Sequence, residues 1–185
     1  MKISTEIIKS LNPCLRRFNN YVEHYSDFNG TLEDFVMLEN ITYLDKIWVI
    51  TKLFTKEQNV KFAIKCASSV LNIFEERYPK DKRPRQALEA AENYLISTDT
   101  DTAAAADAAY AAAAYAAAAY AAAAADTAYA AATYAAAAAY AAYAAAYAAT
   151  YAAAAAAYAA TYAAYANPKS QQELNLIFAV EVANE

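Results

Sequence analysis

A dense cluster of ionic side chains lies in FEERYPKDKRPRQALEA, residues 74–90. Two prolines in this stretch predict a tight connection between two helices, with Asp81, Arg83 and Arg85 crowded beside it. In a structural interpretation, Asp81 caps a helix while Arg83 and Arg85 pair with nearby carboxylates or helix C-terminal carbonyls. In a functional interpretation, Asp81, Arg83 and Arg85 form a loop that docks on an acidic partner protein.

Residues suited to catalysis or metal binding are scarce. The chain has one histidine, His24, and one glycine, Gly30, so a histidine-activated nucleophile and a Gly-rich phosphate loop are not evident. Cys14 and Cys66 lack the CxxC spacing of zinc sites. We therefore predict no enzyme activity, no metal and no cofactor. Two buried free thiols are expected in a reducing cytosol, with a disulfide as the alternative, and His24 is expected on a helix surface or at the core edge.

Three recurring motifs predict where helices begin. A threonine stands three residues before a carboxyl or amide side chain at Thr31–Asp34, Thr42–Asp45 and Thr55–Gln58. This spacing allows the two side chains to satisfy the free backbone amides of a first helical turn. Each motif therefore predicts a helix that starts immediately after its threonine.

Apolar residues at helical spacing predict two amphipathic helices around the charged connection. One runs from Thr55 and ends before Pro79, and the other runs from Pro84 to Leu95 with proline in its first turn. Residues 174–182 alternate like a strand, but a capping motif at 170–173 favours a helix there. The predicted fold class is all-α, a multi-helix bundle with long Ala/Tyr-rich helices.

The alanine-rich tract at residues 102–166 is predicted to be helical, because alanine has the best helix propensity. Asp126 and Thr127 supply a fresh cap and predict a break there. An unbroken helix of forty residues would span about 60 Å, whereas a compact domain of this size is only about 40 Å across. The second tract helix is therefore expected to break again or to project as a rod.

Tyrosines in the second half of the tract form a stripe along one helical line, with Tyr147, Tyr151 and Tyr158 among them. In one interpretation these rings pack onto the helices of the first half. In the other they are exposed and form a recognition surface, since tyrosine supplies large contact area at low entropy cost. We include Tyr147, Tyr151 and Tyr158 with the candidate partner-binding residues.

Charge is unevenly distributed along the 185 residues. Residues 1–100 contain 14 of the 15 Lys and Arg and 14 of the 20 Asp and Glu, so the remainder carries the whole net charge of −5. We predict a charged helical region at 1–100 and an Ala/Tyr-rich helical region at 101–185, packed together as one domain. The absence of a basic stripe disfavours direct nucleic-acid binding.

A membrane location is also disfavoured by the sequence. Residues 127–166 carry no charge, but they contain only Ala, Tyr and Thr, and alanine gains little from entering lipid. The first residues, MKISTEIIKSLNP, lack the apolar segment of a signal peptide. We expect a cytoplasmic protein.

Four stretches resemble a bacterial and phage family of immunity proteins from polymorphic toxin systems. They are NPC at 12–14, LDKIWVI at 44–50, AIKCASSVLNIFEERYPKDKRPRQALEAAENYL at 63–95 and DTAYAAATY at 126–134. The resemblance covers most of residues 12–135 and is most specific from Cys66 to Arg85. It implies an all-helical cytoplasmic protein that binds and neutralises a protein effector. The tract departs from the family's pattern, because tyrosines stand where relatives carry Arg and His.

Three functional hypotheses remain open on the sequence alone. The leading one is a non-enzymatic, immunity-type inhibitor of a protein effector. The alternative is a phage-encoded, anti-CRISPR-like inhibitor that docks on a host defence nuclease, although the neutral first half argues against mimicry of DNA. The third is a structural protein, either a homo-oligomer assembled through its Ala and Tyr faces or an ice-binding helix with threonines eleven residues apart at Thr150 and Thr161.

Overall fold

A computed structural model describes residues 1–97 and 168–185 of the protein. In chain order the elements are β1 (Lys2–Ser4), α1 (Thr5–Ser10), α2 (Leu15–Tyr25), β2 (Asn29–Thr31), α3 (Leu32–Met37), α4 (Tyr43–Leu53), α5 (Lys56–Arg77), α6 (Arg83–Ile96) and α7 (Pro168–Asn184). Helices dominate, which confirms the predicted all-α class. The expectations for the alanine-rich tract, including Tyr147, Tyr151 and Tyr158, fall outside the described residues.

The threonine motifs begin helices as predicted. At α3, Thr31 Oγ1 accepts from the Asp34 amide while Asp34 Oδ2 accepts from the Thr31 amide. At α4, the Asp45 amide donates to Thr42 Oγ1 at 3.2 Å. At α5, Thr55 Oγ1 accepts from the Gln58 amide at 3.1 Å, and Gln58 Oε1 accepts from the Thr55 amide at 3.0 Å. These bonds, which are reciprocal at α3 and α5, satisfy first-turn donors that would otherwise lack partners.

The predicted helix ends also agree with the structure, with one difference at α7. Helix α5 ends at Arg77, before Pro79, and α6 carries Pro84 in its first turn. Helix α7 begins at Pro168, so Ser170 lies inside the helix and is not its N-cap. Proline needs no amide partner in a first turn, which allows the helix to start two residues before the predicted motif.

The sequence did not predict the small antiparallel sheet. Strands β1 and β2 pair Ile3 with Gly30 and Lys2 with Thr31. A Cβ atom at Gly30 would lie 2.9 Å from Phe28 Cζ and 3.0 Å from Asp34 Oδ2, so a side chain at this position would require its neighbours to move. Strands of three residues are too short to show an alternating pattern in the sequence.

Helix α5 contacts both α6 and α7. All three helices bury small side chains, which allow helix axes to approach closely. The fully buried small residues are Ala63, Cys66, Ala67, Ala87, Ala91 and Ala179. Larger groups fill the remaining core, and the rings of Phe54 and Phe62 meet edge to face with centroids 5.9 Å apart.

The two cysteines differ in environment. Both are free; Cys66 is completely buried, whereas Cys14 is exposed at the N-cap of α2. The expectation that both thiols are buried is therefore wrong for Cys14, because it precedes a helix that starts at the surface. His24 lies exposed on α2, with its Nδ1 atom 2.9 Å from the Asn20 carbonyl oxygen, as predicted for a helix-surface residue.

Candidate functional site

The connection between α5 and α6 is short and internally hydrogen-bonded. The Asp81 amide donates to the Tyr78 carbonyl at 3.0 Å and closes a turn. The Gln86 amide then donates to the Lys82 carbonyl at 3.0 Å, which starts α6. Because α6 packs against α5 and buries Ala87 and Ala91, this connection lies at the end of a packed pair of helices.

Arg83 is bound to Asp81 within the connection. Arg83 Nε donates to Asp81 Oδ1 at 2.9 Å, and Arg83 Nη2 donates to Oδ2 at 2.5 Å. Asp81 Oδ1 also accepts from the Arg83 backbone amide at 3.1 Å. Asp81 stands one residue before the N-cap Lys82, and its side chain satisfies the first amide of α6 and orients the Arg83 guanidinium.

Arg85 makes a second ion pair that crosses from α6 to α5. Its Nε and Nη2 atoms donate to Glu75 Oε1 and Oε2 at 2.6 and 2.5 Å, a bidentate geometry. This arginine holds the pKa of Glu75 below its ordinary value, and Glu75 in turn raises the pKa of Arg85. About half of the Arg85 side chain remains exposed.

The predicted site residues thus have two separate arrangements. Asp81 and Arg83 lie together in the connection, whereas Arg85 is directed away toward Glu75 of α5. Beside Arg85 is a groove of about 210 Å³ that Glu75, Glu89 and Glu92 help to line. Arg85 therefore lies at the boundary between the basic connection and this acidic groove.

Two exposed lysines complete the basic part of the connection. Lys80 and Lys82 flank Asp81, and both side chains are exposed. Neither forms an ion pair with any residue of 1–97 or 168–185. The charge of Lys82 helps to lower the pKa of Glu75 without an ion pair between them. Both lysines therefore remain open to an acidic surface, whereas Arg83 and Arg85 already have carboxylate partners.

A larger cleft of about 610 Å³ was missed by the sequence reasoning. It lies among α1, α2, α3 and α4, and most of its lining is apolar. The lining residues include Ile8, Phe18, Tyr21, Phe35, Ile41, Leu44, Ile47 and Trp48. The apolar residues of α2 recur at helical spacing, so this helix could have been recognised in the sequence, but its separation from α4 could not.

Ionic groups stand at one edge of this cleft. Arg17 Nη1 donates to Asp45 Oδ1 at 2.5 Å and joins α2 to α4. Cys14 also lines the cleft. Hydrogen bonds from the backbone amides of Arg17 and Arg16 lower the pKa of the Cys14 thiol, because they stabilise negative charge at the start of α2.

No group of three or more His, Cys, Asp or Glu side chains among the described residues is arranged to hold a metal ion. Within the same residues, no helix combines the length and apolarity that a membrane span requires.

The described fold and site define a small helical protein whose charged helix connection is stabilised by its own ion pairs. The model of the Imm-5 like putative immunity protein family matches residues 50–177, more than half of the chain, and the chain belongs to this family. The matched residues include α5, the connection and α6. The match confirms the resemblance found in the sequence. Searches of curated proteins and of solved structures found no match.

Proposed function

We propose that the protein is a non-enzymatic inhibitor that binds a toxin-type protein effector in the cytoplasm and neutralises it. Family membership is the observation that carries this proposal, because the match at residues 50–177 contains the whole α5–α6 pair and its connection. An immunity-type protein acts by binding, which requires a rigid, complementary surface and no catalytic groups.

The basic connection is the binding surface that we favour. Lys80 and Lys82 are exposed on both sides of Asp81, and Arg83 and Arg85 retain exposed guanidinium surface beside their carboxylate partners. Intramolecular ion pairs keep Arg83 and Arg85 in defined orientations, so less conformational entropy is lost on binding. Together, Lys80, Lys82, Arg83 and Arg85 suit an acidic patch on the effector.

The Ala/Tyr-rich region is proposed as a second part of the inhibitor. Residues 1–100 and 101–185 would form one domain, and Tyr147, Tyr151 and Tyr158 would add aromatic contacts to the effector. The packing of α7 against α5 supports this arrangement, because it joins the end of the second region to the core of the first.

The first test is an affinity pull-down of the tagged full chain from lysate of its source cells. The informative variant is Lys80→Glu with Lys82→Glu, because these exposed lysines have no ion pair to lose among the described residues. Its matched control is Lys9→Glu with Lys52→Glu, which makes the same charge change at exposed positions on α1 and α4. The pair Arg83→Glu and Arg85→Glu is less selective, since it also breaks contacts that hold the connection.

We expect a stoichiometric protein partner with the wild type and the control, and loss of that partner with Lys80→Glu plus Lys82→Glu. Co-expression of the wild type or the control should then protect cells from the captured effector, whereas co-expression of Lys80→Glu plus Lys82→Glu should not. Retention of the partner by the lysine variant would exclude the connection as the binding surface. The absence of any partner, or a partner whose toxicity is unchanged by co-expression, would contradict the inhibitor function itself.

A further inference from the structure

The cleft between α2 and α4 has the properties of a small-molecule site. Its volume of about 610 Å³ falls within the range of roughly 300–1,000 Å³ typical of ligand pockets. The rings of Phe18, Tyr21 and Trp48 contribute to its lining. These rings give the apolar part of a ligand a large contact area of defined shape.

Apolar side chains that line the cleft differ in their exposure to solvent. Tyr21 of α2 is 5% exposed, whereas Phe18 of the same helix is partly exposed. Leu44, which lines the cleft from α4, is 42% exposed. An apolar ligand would therefore remove surface from water at the open end of the cleft.

Arg17 provides a hydrogen-bonding group for an anion at the same edge. Its Nη1 atom donates to Asp45, and within the described part of the chain the Nε and Nη2 protons remain for an added ligand. The opposing Asp45 carboxylate is already engaged, because Oδ1 accepts from Arg17 and Oδ2 accepts from Thr42 Oγ1 at 2.7 Å. Arg16 is exposed beside Arg17 and adds a further positive charge.

The N-terminal end of α2 also favours an anion near Arg17. The amides of Arg16 and Arg17 stabilise negative charge at Cys14 and lower the pKa of its thiol. The helix has 11 residues, so its dipole also favours an anion at this end. The surroundings of Arg17 therefore favour negative charge, although the chain as a whole carries a net charge of −5.

From these observations we infer that the α2–α4 cleft binds a small amphiphilic anion. Its apolar ring or alkyl chain would contact Phe18 and Trp48, and its carboxylate or sulfonate head group would accept hydrogen bonds from Arg17. The inference does not depend on the proposed inhibitor function, because the cleft is built from residues 8–49, before the family match begins at residue 50.

Two side chains of the cleft allow binding to be located. Trp48 is the only tryptophan of the chain, so energy transfer from it to the fluorescent anion 8-anilinonaphthalene-1-sulfonate would report a ligand near the cleft. Decanoate should displace this probe and decanamide, which has the same chain length without the charge, should compete at least about tenfold more weakly. Decanoate should also slow alkylation of Cys14 by N-ethylmaleimide.

Substitutions at the ion pair separate an anion site from a structural contact. Arg17→Gln should weaken decanoate binding about tenfold or more and leave decanamide competition nearly unchanged. Asp45→Asn should strengthen decanoate binding, because it removes a negative charge while Arg17 remains. A contact that only holds α2 against α4 would weaken binding in both variants. Ile41→Trp should reduce binding of both ligands by filling the cleft.

Several results would overturn the inference. One is failure of decanoate and the fluorescent probe to bind the folded wild type. Another is decanoate binding that neither protects Cys14 nor alters energy transfer from Trp48. Equal competition by decanoate and decanamide would show that the anionic head group does not contribute to binding. Protection of Cys14 by the captured effector, with none from the small anions, would instead assign the cleft to a protein segment.

Discussion

Asn175 on α7 donates from Nδ2 to the hydroxyl oxygen of Tyr43 on α4 at 2.8 Å, across 132 positions of sequence. Asn175 is fully buried, and its Oδ1 accepts from Gln171 Nε2 at 2.9 Å. Gln171 Nε2 also donates to Ser69 Oγ on α5 at 2.8 Å. A polar network that includes the buried Gln171 and Asn175 therefore connects α4, α5 and α7. Burial raises the pKa of Tyr43, so the phenol is neutral at physiological pH.

Replacing Asn175 with alanine should destabilise the protein by about 1–3 kcal/mol, because buried groups of Gln171 and Tyr43 lose a partner. Tyr43→Phe should cost about 1 kcal/mol. Urea unfolding measures both changes, with Glu173→Ala on the exposed face of α7 as the matched control. The double variant should be less destabilised than the sum of the single effects. Strict additivity would show that the two side chains are not coupled.

Asn59 provides a second stability test at the end of α4. Its buried Nδ2 donates to the Thr51 and Phe54 carbonyl oxygens at 3.0 and 3.4 Å, while its buried Oδ1 has no hydrogen-bond partner among residues 1–97 and 168–185. Asn59→Ala should destabilise by about 1–3 kcal/mol, since two helix-end carbonyls lose a donor. Asn59→Asp should be worse at neutral pH, because it places a carboxylate against those carbonyls.

The pH dependence of the two Asn59 variants distinguishes this explanation from simple loss of packing. Protonation of the introduced carboxyl restores a donor, so the difference between Asn59→Asp and Asn59→Ala should shrink as the pH falls. Urea unfolding midpoints of both variants, measured from neutral to acidic pH, would show this decrease in the difference. A difference that stays constant over this range would mean that charge at this position is not the cause.

The Arg85–Glu75 ion pair should stabilise the protein above the ordinary pKa of Glu75, which is 4.5. The arginine lowers the pKa of Glu75 in the folded state, so the contribution is lost as the pH falls through that lower folded value. Because Arg85 is about half exposed, Arg85→Gln should cost no more than about 1 kcal/mol at neutral pH. Urea unfolding should give free energies of unfolding for the wild type and Arg85→Gln that converge at acidic pH.

Lys52→Gln is the control for this pH profile. Lys52 is an exposed cation on α4 and lies outside the ion pairs formed by the described residues. Its removal should therefore leave the loss of stability at acidic pH unchanged. A gap between wild type and Arg85→Gln that persists below the folded pKa of Glu75 would indicate that Arg85 stabilises the fold through packing of its side chain.

Thiol alkylation should separate the two cysteines. Cys14 is exposed and should react in the folded protein, whereas Cys66 is buried and should react only on unfolding. The pH profile of the Cys14 rate should have its inflection below the ordinary value of 9.0, because backbone amides lower its pKa. Arg16→Gln should keep most of this shift. An inflection at 9.0 in the wild type would show that the α2 amides do not stabilise the thiolate.

Local sequence signals predicted the helical ends with useful accuracy. Thr31, Thr42 and Thr55 bond to groups three residues away, so their roles can be inferred without the tertiary fold. The ion pairs of Arg83 and Arg85 were also within reach, because Asp81 and Glu75 lie nearby in the sequence. The prediction did not separate these two arginines, since their directions depend on how α6 packs against α5.

Features that depend on distant segments were not predictable in the same way. The α2–α4 cleft requires residues from four helices to leave a space between them, and no periodic pattern measures such a space. Likewise, nothing near Tyr43 in sequence indicates its bond to Asn175. The exposure of Cys14 was missed because burial is common for free cysteines, whereas its actual position is set by the start of α2.

Both α6 and α7 lie against α5, so this helix contacts the described segment that ends at residue 97 and the one that begins at residue 168. Replication slippage in an alanine- and tyrosine-coded repeat would change the number of residues between these two attachment points. We expect in-frame gains and losses of repeat units to leave the contacts on α5 in place. Natural length variants of this gene should therefore differ mainly between residues 98 and 167 and share the same attachment residues on both sides.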